Sequence, residues 1–126
     1  MRHKHLILLL IALLLITVSS ADYAFADKAS VSIESPQNAV ADAEILIKIT
    51  VTHSADNFFH YVNWVYIIVN GREVARWNYS WNKRPDGAIF TKEITYRIQG
   101  PVNIKAEVNC NIHGSKGPAV VNVSVK

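Results

Sequence analysis

Apolar and polar residues alternate along most of the chain after residue 30. The clearest case is residues 44–53, where Ile45, Ile47, Ile49 and Val51 occupy every second position. A period of two is typical of a β-strand with one buried face. Similar patterns, some apolar on both faces, predict seven strands, at residues 31–34, 44–53, 60–69, 72–79, 89–98, 102–110 and 119–125.

Turn signals separate these segments. Asn70-Gly71 is typical of a tight hairpin turn, residues 82–87 contain Pro85 and Gly87, and Gly100-Pro101 closes another strand. No segment shows a convincing helical period. The pattern predicts an all-β fold, an immunoglobulin-like β-sandwich of about seven strands.

The N-terminus has the pattern of a secretory signal peptide. A basic start precedes an apolar run from Leu6 to Val18, and Ala24-Phe25-Ala26 follows as a cleavage site. The run is short for a bilayer span, which needs about 20 residues. We therefore expect residues 1–26 to be cleaved, leaving one exported or periplasmic domain at 27–126 with no stable membrane anchor.

Charge and cysteine content narrow the function. The formal net charge is +3 for the whole chain and +2 for residues 27–126, with no basic run, so we expect no nucleic-acid partner. The single cysteine cannot form an intrachain disulfide. A lone thiol in an exported protein is exposed to oxidation unless it has a use, and metal ligation would be one.

Candidate metal ligands are Cys110 and His113, which form a C-x-x-H motif, together with the two other histidines after the leader, His53 and His60. Side chains alternate between the two faces of a strand, and this alternation places Cys110 on the apolar face of its strand. It also places His53 on the apolar face at the end of another strand. His60 is expected to open the next strand, and the short loop after His53 would bring it to the same rim. Its side chain would share one inward face of that strand with Val62, Trp64, Tyr66 and Ile68. Each residue alone is more often a rim or core residue; a metal site would explain all four together.

Two motifs resemble those of a known family. Residues 60–65 (HYVNWV) are similar to H-Y-x-x-W-[IV], and residues 110–114 (CNIHG) to C-N-x-H-G, in the iron-binding domain of desulfoferrodoxin and neelaredoxin, the superoxide reductases. His53 stands where the family has an upstream histidine. Residues 27–34 resemble its opening segment E-K-H-V-P-V-I-E.

The resemblance implies a mononuclear iron with equatorial histidines and an axial cysteine thiolate. Superoxide would be reduced to hydrogen peroxide, with electrons from an external donor, and Lys28 would attract the anion. Ala29 stands where the family has its first histidine. A fourth equatorial ligand could then be water, Asn57 or Asn111.

Other functions are compatible with these residues. Three histidines and a thiolate suit zinc, and a smaller set including Cys110 and His113 could hold copper. Blue copper sites usually have an axial methionine, and the only methionine here is Met1. The alternatives are a non-catalytic metal-binding or redox-partner module, and a β-sandwich binding module without metal. A homo-oligomer is also possible.

Overall fold

The structure is a computed structural model that describes residues 3–5 and 28–126. Apart from a helical stretch at residues 3–5, the expected signal peptide lies outside the described residues. The described chain forms eight β-strands, which are β1 Ser30–Glu34, β2 Asn38–Ala39, β3 Glu44–Thr52, β4 Val62–Val69, β5 Arg72–Asn78, β6 Ile89–Arg97, β7 Val102–Cys110 and β8 Ala119–Val125. No helix among the described residues is long and apolar enough to cross a membrane.

The strands form two sheets that pack face to face. One has the order β1-β3-β6 and the other the order β2-β8-β7-β4-β5. The predicted all-β, immunoglobulin-like sandwich is therefore confirmed. The additional strand, β2, pairs in parallel with β8 and is only 2 residues long, too short to produce a recognisable alternation in the sequence.

The core lies between the sheets, and β3 and β7 supply its most regular rows. Inward residues at every second position of these strands are at most 5% exposed; they are Ile45, Ile47, Ile49, Val51, Val102, Ile104, Ala106, Val108 and Cys110. Burial of these branched aliphatic side chains contributes roughly 1.5–3 kcal/mol for each Val or Ile. The core thereby fixes which residues at the strand ends also point inward.

A β-bulge changes the facing of side chains in β4. Val62 pairs with Cys110, but Trp64, two residues later, pairs with the adjacent Asn109. The extra residue reverses the parity, so Val65 is buried whereas Trp64 is only half-buried. The prediction that Trp64 shares the inward face of Val62 is therefore wrong.

Four chain segments meet at one end of the sandwich. Thr52, at the end of β3, pairs with Ser30, at the start of β1. Ala29 bridges Ser115, in the loop after β7. Because β4 and β7 are antiparallel, the start of β4 lies beside the end of β7. This end carries the candidate ligands.

Candidate metal centre

His53 continues the inward row of β3 by one residue. Its backbone N–H donates to the carbonyl oxygen of Ala88 across 2.9 Å, which holds the chain in register after the strand ends. The side chain is only 5% exposed. The parity prediction for this residue is confirmed.

His60 lies in the loop before β4 rather than in the strand, where the sequence pattern had placed it. The side-chain oxygen of Asn57 accepts hydrogen bonds from the backbone N–H groups of Phe59 and His60, both at 3.0 Å. This turn directs His60 towards His53; their ring centroids are 4.6 Å apart and the rings are nearly perpendicular.

Cys110 and His113 lie on a tight turn at the end of β7. The backbones of Cys110 and Gly114 exchange two hydrogen bonds, at 2.9 and 3.0 Å. Gly114 has a φ of 85°, which is the left-handed region that glycine adopts readily. The turn brings the N–H of His113 to 3.4 Å from Cys110 Sγ, a donor that would stabilise a thiolate.

Three atoms that could bind a metal ion lie close together. His60 Nε2 lies 3.0 Å from Cys110 Sγ, and His113 Nδ1 lies 3.2 Å from His60 Nε2 and 3.8 Å from Cys110 Sγ. Metal–nitrogen and metal–sulfur bonds of about 2.0–2.1 and 2.3 Å place neighbouring donors about 2.9–3.6 Å apart. The two distances from His60 Nε2 therefore have the spacing of ligand atoms around one transition-metal ion, and the Cys110 Sγ–His113 Nδ1 distance is about 0.2 Å longer than that range.

His53 completes the cluster on its buried side. One donor atom from each of His53, His60 and Cys110 lies within 4.8 Å of the other two. His53 and Cys110 are buried, whereas His60 and His113 are half-buried. A ligand from solvent would therefore approach from the side of His60 and His113.

The side-chain oxygens of Asn57 and Asn111 accept hydrogen bonds from backbone N–H groups, so these residues do not fit the role of fourth ligand. The Asn57 oxygen accepts the two N–H groups of its own turn. The Asn111 oxygen accepts the N–H of Tyr61 at 2.9 Å, and its amide nitrogen donates to the carbonyl of Phe59 at 3.0 Å. The sequence motif contained Asn111, but only the fold reveals that it joins two loops.

Ala29 and Lys28 pass beside the Cys110–His113 turn. Ala29 is completely buried, its N–H donates to Gly114, and its carbonyl accepts from the N–H of Lys116. Lys28 is half-buried and precedes it directly. Ala29, which the motif resemblance aligns with the first histidine of the family, is therefore adjacent to the turn that carries two candidate ligands.

The comparisons with known proteins agree with this fold and motif. The family model for desulfoferrodoxin matches residues 22–115, most of the chain. The chain belongs to the desulfoferrodoxin family. It has no match among curated protein sequences.

Solved structures give the same fold. A superoxide reductase (neelaredoxin) from Ignicoccus hospitalis has a TM-score of 0.62 at 20% identity, over 77% of this chain and 80% of that one. A putative superoxide reductase from Thermotoga maritima has a TM-score of 0.59 at 20% identity, over 79% and 88%. A CARDB domain from Pyrococcus furiosus, in complex with di-metal ions, has a TM-score of 0.59 at 17% identity, over 78% and 92%.

Proposed function

We propose that this protein is an exported mononuclear iron protein that reduces superoxide to hydrogen peroxide. The observation that carries the proposal is the contact between His60 Nε2, His113 Nδ1 and Cys110 Sγ, at 3.0–3.8 Å from one another. Family membership and the buried His53 beside this trio add support.

The iron would be held by Cys110, His113, His60 and His53. A bound ferrous ion would supply one electron to superoxide, which with two protons gives hydrogen peroxide, and an external donor would restore the electron. A mixed imidazole and thiolate set suits iron, and the thiolate donates electron density. Burial of Cys110 excludes water from the sulfur and protects it from direct oxidation.

The remaining residues of the site attract and admit the anion. Superoxide is negatively charged, so a cation near the entrance raises its local concentration. Lys28 would serve this role, because its backbone leads directly into Ala29, which is hydrogen-bonded to the turn after His113. The half-buried rings of His60 and His113 form the side from which a small diatomic anion would enter.

Export is the second part of the proposal, and the N-terminal pattern supports it. It predicts that the protein isolated outside the cytoplasm begins at Asp27. N-terminal sequencing of that protein tests the prediction directly. A first residue at Met1 in the exported form would contradict cleavage.

Metal analysis tests the redox proposal. The protein is purified without oxygen, its metal content is measured, and the visible spectrum is recorded before and after oxidation. We expect about one iron per chain, a thiolate absorption band on oxidation, and superoxide consumption in rapid mixing that needs an electron donor for turnover. Iron binding without superoxide consumption would exclude the activity but retain the metal centre.

A non-catalytic zinc centre is the alternative that the donor set favours. Three histidines and one thiolate match the tetrahedral coordination that zinc prefers. Stoichiometric zinc, no visible band and no superoxide consumption would support it. Copper is less favoured, since the described residues contain no methionine to act as an axial ligand.

A further inference from the structure

Asn111 joins the loop of His60 to the turn of Cys110 through three hydrogen bonds. Its backbone N–H donates to the carbonyl of Tyr61 at 3.0 Å. Its side-chain oxygen accepts the N–H of Tyr61 at 2.9 Å, and its amide nitrogen donates to the carbonyl of Phe59 at 3.0 Å. Asn111 therefore holds the residues on both sides of His60.

Asn111 is also close to Cys110. Asn111 follows Cys110 directly, and its side-chain oxygen lies 4.0 Å from Sγ. The β4–β7 pairing reaches Cys110 at Val62 and is interrupted there by the bulge. His60 lies beyond this pairing, so its distance from Cys110 depends on contacts between the loops.

We propose that Asn111 is a positioning residue of the metal centre, which sets the separation of His60 Nε2 from Cys110 Sγ. This inference rests on the proposed metal centre. Donor atoms must be held within about 0.5 Å of their productive geometry. Asn111 meets that requirement, because its hydrogen bonds fix the residues on both sides of His60 and because it directly follows Cys110 in the chain.

The exposure of Asn111 separates this role from a general contribution to stability. Its side chain is exposed, so water can replace its hydrogen bonds if the loops separate. Loss of the amide should therefore cost little folding stability while increasing the freedom of His60. By contrast, the side-chain bonds of Asn57 lie within the loop of His60 and do not connect it to Cys110.

The chain contains a matched control at the opposite end of the sandwich. Asn70 is also exposed, and its side chain also links two distant chain segments. Its oxygen accepts the N–H of Asn103 at 2.8 Å, and its nitrogen donates to the carbonyl of Pro101 at 3.4 Å. Asn70 has a φ of 49°, so glycine is the suitable replacement there. Asn70→Gly removes a comparable link far from the candidate ligands.

The experiment compares Asn111→Ala, Asn70→Gly and the unsubstituted protein. Each is titrated with Co²⁺ against a chromophoric chelator, the thiolate-to-cobalt absorption band is recorded, and thermal unfolding is measured without metal. We expect Asn111→Ala to weaken Co²⁺ binding about 10- to 100-fold and to shift the band, as for other residues that support metal ligands. Asn70→Gly should leave the Co²⁺ affinity and the absorption band unchanged.

The outcomes separate this inference from the proposed metal centre. Unchanged affinity and an unchanged band in Asn111→Ala would overturn the positioning role while leaving the centre intact. Equal losses in both variants would also overturn it, because the effect would then be global. If the unsubstituted protein binds no Co²⁺, the metal centre fails and the positioning role fails with it.

Discussion

The backbone N–H of Ala29 donates to the carbonyl oxygen of Gly114, across 3.3 Å, and so ties the segment before β1 to the turn that carries Cys110 and His113. Ala29 is completely buried. A side chain introduced at this position would therefore meet the interior close to the candidate ligands.

Ala29→His tests whether this position can supply a further ligand. A larger side chain at a completely buried position should destabilise the metal-free protein by about 1–3 kcal/mol. If the imidazole reaches the metal, Co²⁺ should reverse that loss and bind more tightly than to the unsubstituted protein. Denaturant unfolding with and without Co²⁺ measures both effects. A loss that persists in saturating Co²⁺ would mean that residue 29 does not face the centre.

Cys110→Ser tests whether the thiolate of Cys110 binds the metal. The serine hydroxyl is a poor replacement for a soft ligand, so the thiolate-to-metal absorption band should disappear from the iron and cobalt forms. The variant should remain folded, because the substitution replaces one small side chain with another of similar size. Visible absorption, with circular dichroism to verify folding, is the measurement. Survival of the band would place the site elsewhere.

His60→Ala and His113→Ala test the two half-buried candidate ligands. Each should weaken metal binding by more than about 100-fold, since loss of a residue that merely supports a ligand already costs about 10- to 100-fold. Chelator competition followed by metal analysis provides the measurement, and Asn70→Gly is again the distant control. Unchanged stoichiometry in both histidine variants would refute the cluster.

Lys28→Ala tests attraction of the anion. We expect the rate constant for superoxide consumption to fall about 2- to 10-fold, and to become less sensitive to salt, with metal content unchanged. Lys126→Ala is the matched control, since Lys126 follows β8 at the opposite end of the sandwich from the turn of Cys110. Equal rates for Lys28→Ala and the unsubstituted protein would remove Lys28 from the site.

Tyr66 is expected to contribute to the stability of the fold at alkaline pH. The pKa of Tyr66 is raised from 10.0 to about 12. Burial is the largest cause, and the 2.7 Å hydrogen bond that Tyr66 donates to Glu107 is the second largest. The folded state therefore holds this proton more tightly than the unfolded state. The resulting stability is fully present below about pH 10 and is lost as the pH rises through about 12.

Comparison with Tyr66→Phe isolates this contribution. The difference in unfolding free energy between the two proteins should shrink as the pH rises from about 10 to about 12. Glu107→Gln should reduce the effect, because it removes the negative charge beside the phenol. Urea unfolding at about pH 8 and about pH 11, on either side of the phenol's ordinary pKa, gives the comparison. A pH-independent difference would show that Tyr66 does not titrate differently in the two states.

The amino-acid sequence by itself determined the seven longer strands and the inward facing of two candidate ligands. Regular alternation in β3 and β7 extends without interruption to His53 and Cys110, so a local period of two was sufficient. The Asn70-Gly71 hairpin was equally readable, since both residues have positive φ angles that few other residue types adopt.

The tertiary structure decided what depends on contacts between distant segments. The bulge in β4 arises from its pairing with β7, which no local period records, and it reversed the facing expected for Trp64. The distances between His60, Cys110 and His113 depend on two loops brought together by antiparallel strands. Asn57 and Asn111 were open as ligands in the sequence, but the fold assigns their amides to backbone groups, because a polar side chain satisfies whichever partner folding brings within reach.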